Sequence, residues 1–170
     1  MEFFDVVDKR RSVRKFLSRK IEEEKLMKIF QTANLAPSAG NLQSYEIFFT
    51  RDEKKKQMLA KASYGQHFIK DAGTVLIFFA NPLKSMRVYG QRGKLYAIQD
   101  ATISASYVQL AATALDLGSV WIGAFDTKEV SSIVKVSNGL KPIALIPIGY
   151  PAEKPKRRER RTIEDLVKEF

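Results

Sequence analysis

Three stretches of the 170-residue chain combine side chains that can grip a ligand. The first is Lys9-Arg10-Arg11-Ser12-Val13-Arg14-Lys15-Phe16. Arginine forks take phosphate oxygens in pairs, and a serine hydroxyl adds a neutral donor. In an extended run, alternation puts Ser12 and Arg14 on one side and Val13 with Lys15 on the other. Two polar side chains can then face one ligand. The second stretch is Ala36-Pro37-Ser38-Ala39-Gly40-Asn41-Leu42-Gln43. Small residues and free backbone donors, with Ser38, Asn41 and Gln43 among them, can lie against a flat polar ring and bond its edge. The third is the tail Lys156-Arg157-Arg158-Glu159-Arg160-Arg161. Each has an ordinary counterpart: a solvated basic surface for the arginine runs, a plain turn for the second loop.

The charge map links the first and third stretches. Net charge is +10, from 29 basic and 19 acidic residues. Residues 1–20 hold seven basic and three acidic residues, and residues 151–161 hold six and two, so each short segment carries +4. The 130 residues between them carry only +4 in total. Two distant basic segments can converge on one anion in the fold, or form a footprint for nucleic acid. Aromatic residues are not interleaved with the basic runs as stacking on bases requires, so nucleic acid is not the expected partner.

Other chemistries are excluded or unsupported. There is no cysteine, which removes disulfides, thiolate metal sites and cysteine nucleophiles. No GxGxxG, Walker A or HExxH spacing occurs, so neither a Rossmann dinucleotide site nor a metal is expected. The single histidine, His67, has no second anchor and reads as structural or superficial. The N-terminus lacks the basic-then-apolar order of a secretory signal, and we expect a cytoplasmic chain. Residues 95–117 are the longest apolar stretch, but Gln99, Asp100, Gln109 and Asp116 rule them out as a membrane span.

The elements that must position these stretches follow from periodicity. Residues 2–9 read as a short helix, 10–15 as a loop entering an extended segment, and 22–34 as an amphipathic helix with Leu26, Ile29, Phe30 and Ala33 inward. Pro37 is expected to end that helix region. Residues 45–50 read as a strand and 52–62 as a surface helix. The unbroken apolar run at 74–80, TVLIFFA, reads as a central strand buried on both faces. Residues 95–117 form a long core helix expected to stop at Gly118. Residues 120–122 read as a short strand, 127–136 as a helix and 143–148 as a second central strand, and Thr162 to Asp165 as a capping box opening a last helix. The expected fold is a single α+β domain over 1–170, with a mostly antiparallel sheet of about four or five strands flanked by helices.

RRSVRKF followed by APSAGNLQSYEIFF resembles the opening of the flavin-dependent nitroreductase family. GSVWIGAFD is similar to that family's segment beside the flavin ring, and PIALIPIGYPAEKPKRRERR to its last strand and basic phosphate-binding tail. The four motifs come in the family's order and span nearly the whole chain. The resemblance implies an FMN cofactor and a homodimer with FMN sites at the interface. Arg10, Arg11 and Ser12 would then bind the FMN phosphate and ribityl chain, and Arg14 would reach the pyrimidine edge of the ring. Reduction leaves negative charge at that edge, which a fixed cation stabilises. Pro37, Ser38, Ala39, Asn41 and Gln43 would come from the partner subunit. Gly123 and Ala124 would lie near flavin N5, with the Gly123 N–H donating to it, and Gln66 would contact the ring. Arg158 and Arg160 match the phosphate-binding pair, with Arg157 and Arg161 as the neighbouring register.

The activity so implied is ping-pong hydride transfer from NAD(P)H through FMN to a flat acceptor such as a nitroaromatic or quinone. No side chain need act as acid or base, because the cofactor carries the chemistry. The alternative keeps the flavin fold with specialised chemistry: dehalogenation, flavin destruction or reduction of a dedicated metabolite. Small residues Ala101, Ser104, Ala105, Ala111, Ala112 and Ala114 on the long helix permit close helix approach, in a dimer core or a monomer's own centre. The chain is short for the family, and residues 81–94, where larger members carry helical lids, are brief. Tyr89, Phe68 and Tyr96 are candidate gates, or packing residues.

Overall fold

The computed structural model describes residues 2–136 and 139–170. Four antiparallel strands make one sheet: β1 (Tyr45–Thr50), β2 (Thr74–Ala80), β3 (Gly118–Ser119) and β4 (Lys141–Gly149), in the order β1-β2-β4-β3. Helices α1 (Phe3–Lys9), α2 (Glu23–Asn34), α3 (Glu53–Ala62), α4 (Phe68–Asp71), α5 (Pro82–Tyr89), α6 (Gly93–Ala114), α7 (Thr127–Val134) and the single turn α8 (Ile163–Leu166) surround it. The antiparallel α+β architecture with a long central helix agrees with the reading from sequence.

β2 is buried along its whole length because both faces of the sheet are covered. Val75, Ile77 and Phe79 face one layer with Leu59 of α3, Ile69 of α4 and Val130 of α7. Leu76 and Phe78 face the other, with Leu26 and Ile29 of α2 and Ala105, Val108 and Ala112 of α6. This is the period-two division of a strand, with apolar residues needed on both sides.

The structure corrects several details. Four of the small residues of α6 are spent inside the subunit: Ala101, Ala105 and Ala112 are fully buried, and the Ser104 hydroxyl donates to the Ala33 carbonyl of α2 at 3.0 Å. These four belong to this subunit's own core, whereas Ala111 is half-buried and Ala114 exposed. Gly118 does not stop the helix. The turn is made by Asp116 at φ 59°, after Leu115, and Gly118 lies in β3 paired with Gly149. A glycine is needed there because a Cβ would come within 2.8 Å of Val13. The strand expected at 120–122 is displaced to Gly118–Ser119, leaving Ile122 with a lone bridge to Leu145. The helix expected to end at 136 ends at Val134, where Lys135 turns left-handed at φ 60°. Residues 81–94 carry α5 and lead into α6. Asn81 caps α5 by accepting from the Lys84 N–H, and Pro82 opens it. α5 then lies close against the start of α6, where a Cβ on Gly93 would meet the Ser85 and Met86 backbone at 2.5 Å.

Candidate functional site

The Arg10–Phe16 segment is pinned by its apolar members. Val13 is buried and donates its N–H to the Ser119 carbonyl at 3.0 Å, while Phe16 bridges Pro151. Ser12 and Arg14 are left on the other side, as alternation requires, and both line an open cleft of about 1120 Å³. Lys15 is exposed. Arg10, Arg11, Arg158 and Arg160 line the same cleft. The two basic ends of the chain thus meet. Burial, with repulsion from Arg160 and then Arg11, lowers the pKa of the Arg10 guanidinium below its ordinary value. A guanidinium destabilised by its neighbours marks a place short of negative charge. Within the tail, Arg157 is paired with Asp8 at 2.9 Å, and Glu153 accepts the Arg14 N–H at 2.5 Å. Arg158 and Arg160 have no carboxylate within ion-pair distance among the described residues.

The Pro37–Gln43 loop is organised by its backbone. Gly40, Asn41 and Gln43 take φ of 56°, 55° and 50°. Left-handed conformations at two residues other than glycine persist only when surroundings impose them. Here the Ser38 hydroxyl accepts the Gln43 N–H at 3.0 Å, and Lys84 of α5 donates to the Gln43 carbonyl at 3.3 Å. Asp100 of α6, 2% exposed, accepts the Ala39 N–H at 2.9 Å and the Ser44 N–H at 3.3 Å. Tyr89 places its hydroxyl where a Cβ on Gly40 would be. Pro37, Ser38 and Ala39 border a shallow hollow with Tyr96 and Ile103 of α6. Sequence reasoning missed Asp100 as an organiser. Its signal was a lone carboxylate inside the apolar stretch of a core helix.

Gln66, Gly123 and Ala124 form a third group. The Gln66 amide donates to the Ala124 carbonyl at 3.2 Å, and to the Ser63 carbonyl at 3.1 Å, while Gly123 and Ala124 are exposed. His67 beside them is exposed, and no cluster able to hold a metal exists among the described residues. Of the three aromatic candidates, Phe68 packs against the core layer of α3 and α4. Tyr89 and Tyr96 stack edge-on at 5.0 Å, and Arg92 donates to the Tyr96 hydroxyl at 2.8 Å.

Position along α6 separates the first two groups. The loop hangs on Asp100, whereas Arg11 and Val13 border a pocket with Thr113 at the far end of the helix. Thirteen helical residues span about 20 Å. One subunit therefore does not bring the Pro37–Gln43 loop to the arginine cleft.

The profile of the Nitroreductase family matches residues 7–73 and 60–150. The chain belongs to the nitroreductase family. Among relatives, the chain is 29% identical to an NADH dehydrogenase of Thermus thermophilus, over 94% of this chain and 91% of that protein. It is 26% identical to an NAD(P)H-dependent FMN reductase of Bacillus subtilis, over 88% of this chain and 66% of the relative. The crystal structure of a nitroreductase family protein from Clostridium novyi superposes with a TM-score of 0.83 at 30% identity, covering 93% of this chain and 89% of that one. Shared membership accounts for the order of the four motifs. Among the described residues, no helix is long and apolar enough to cross a membrane.

Proposed function

We propose that this nitroreductase family member is an FMN-dependent NAD(P)H oxidoreductase that works as a homodimer and reduces a flat acceptor such as a nitroaromatic or quinone. The observation that carries the reading is the arginine cleft. Arg160 lies close enough to Arg10 to help lower its pKa, and Arg11, Ser12, Arg14 and Arg158 share the cleft, so its donor set fits a phosphate dianion. Ser12, Arg10, Arg158 and Arg160 would hold the phosphate. Arg14 would set a fixed cation near the ring, and the exposed Gly123 and Ala124 backbone with the Gln66 amide would meet its edge. When bound, FMN supplies the hydride acceptance and donation that no side chain here provides. The relatives named for FMN and NAD(P)H support the same chemistry.

The separation along α6 supports the dimer. A loop braced into unusual backbone angles, yet about 20 Å along the helix from the arginine cleft, is complete as a site only when a second copy supplies it. α6 exposes the apolar Leu95, Ile98 and Tyr107, which are free to meet that copy.

An absorption spectrum tests the cofactor: the protein should show flavin bands, bleached by NADH or NADPH. A colourless protein that takes up no added FMN overturns the reading. Subunit mixing tests the interface. Arg10→Ala/Arg160→Ala chains and Ser38→Ala/Asn41→Ala chains should each lose FMN, and a mixture refolded together should regain part of it through one intact composite site per heterodimer. No recovery on mixing would place the whole site within one chain.

A further inference from the structure

A second basic cleft lies away from the one assigned to flavin. It holds about 660 Å³, within the usual range for small-molecule sites. Three separate segments build it: Phe16 to Lys20, Arg51 with the first turns of α3, and the end of α4 running into β2. Six cations line it against two carboxylates, Glu53 and Asp71. Arg19 is paired with Glu22, and Lys20 and Arg51 share Glu23. Lys54, Lys56 and Lys70 have no carboxylate within ion-pair distance among the described residues.

Lys56 is the informative member. It is only 8% exposed, and its ammonium has one bond, to the Ala72 carbonyl at 2.6 Å. An ammonium carries three donors, and buried lysines are rare unless paired. Two of its donors therefore have no protein acceptor among the described residues, on a side chain lining a cleft already rich in positive charge. A solvated surface does not need a lysine held inward in this way.

We propose that this cleft binds a small anion carrying two phosphoryl groups, with Lys56 at its base and Lys54 and Lys70 at its rim. The three unpaired lysines outnumber the cleft's own Glu53 and Asp71, two phosphoryl groups let Lys56 and the rim lysines each take an oxygen, and the enclosing segments set a limit on size that a polynucleotide exceeds. The site stands independently of the flavin reading, because it shares no lining residue with the arginine cleft.

Inorganic pyrophosphate is the probe, titrated calorimetrically into the full chain saturated with FMN. One equivalent should bind. Lys70→Met should weaken it ~10-fold, the loss of one charge-assisted contact, and Lys56→Met/Lys70→Met should abolish it. If Lys56→Met does not fold, Lys54→Met/Lys70→Met at exposed positions should weaken binding more than Lys70→Met alone. FMN uptake should be unchanged in every lysine variant. No pyrophosphate binding, binding indifferent to the lysines, or binding of an RNA oligomer in its place overturns the proposal. A chain that takes up no FMN but binds pyrophosphate through Lys70 would sink the flavin reading and leave this one standing.

Discussion

The arginine cleft and the Pro37–Gln43 loop are built on opposite plans. The cleft gathers like charges on the N-terminal segment and an exposed tail, held by a few contacts such as Arg157 to Asp8 and Arg14 to Glu153. Its cations repel one another. The loop has no charge of its own, yet nearly every constraint on it comes from a buried or half-buried group: Asp100, Ser38 and Tyr89. One region is left electrostatically unsatisfied and the other conformationally overdetermined. The contrast teaches that a site can hold its ligand either by stored charge imbalance or by preformed shape, and here the two are kept on different parts of the chain.

The comparison is most easily broken at Asp100. Asp100→Ala leaves two N–H groups without acceptors and should lower unfolding free energy by about 3 kcal/mol in urea titrations. A loss below ~0.5 kcal/mol would mean that the loop does not depend on its brace. Arg160→Ala should behave in the opposite way. Stability should stay within ~0.5 kcal/mol, since the residue is exposed, while FMN affinity falls roughly 10- to 100-fold. Equilibrium dialysis reads that loss, which should shrink at high salt. Gly40→Ala comes next, with a cost of about 1–2 kcal/mol for the left-handed conformation and a further clash with Tyr89. Adding Tyr89→Phe should recover the clash but not the backbone part.

The smallest effect concerns the network around Tyr150. Tyr150 donates to Glu22 at 2.6 Å, accepts from Lys25 at 3.1 Å and lies under Arg19. The Tyr150 hydrogen bond above all, with help from Arg19, lowers the Glu22 carboxyl from its ordinary 4.5 to about 2. A carboxylate lowered in this way stabilises the folded chain above its unfolded pKa. That contribution is lost as pH falls from about 4.5 towards about 2. Thermal melts of the parent and Tyr150→Phe should therefore differ at neutral pH and converge below pH 4.5, a convergence that Glu24→Gln, at a neighbouring exposed position, should not alter.

Much of this was readable from the chain. TVLIFFA could only be a strand covered on both faces, and the spacing of Leu26, Ile29 and Ala33 set the face of α2. The uneven charge pointed to two basic segments that could converge, and they do share one cleft. Elsewhere the decisive fact was a contact between residues far apart in sequence. Gly118 looked like a helix stop, but its role comes from Val13, over a hundred positions earlier. The alanines of α6 suit two kinds of close packing equally, and only the position of α2 decides between them. Asp100 and Lys56 carry no motif at all. A charged residue on a helix reads as solvated until the fold buries it.

The order of the cleft along the chain has a consequence for biosynthesis. The sheet is complete at Gly149, but two of the arginines assigned to phosphate, and Glu153 that fixes Arg14, come afterwards. A nascent chain emerges N-terminal end first, so Arg10, Arg11 and Ser12 are made well before their counterparts. Under the proposed flavin reading, ligand capture is thereby tied to the segment after the last strand. A chain clipped after Gly149 would, on that reading, close its sheet and still lack the flavin's colour.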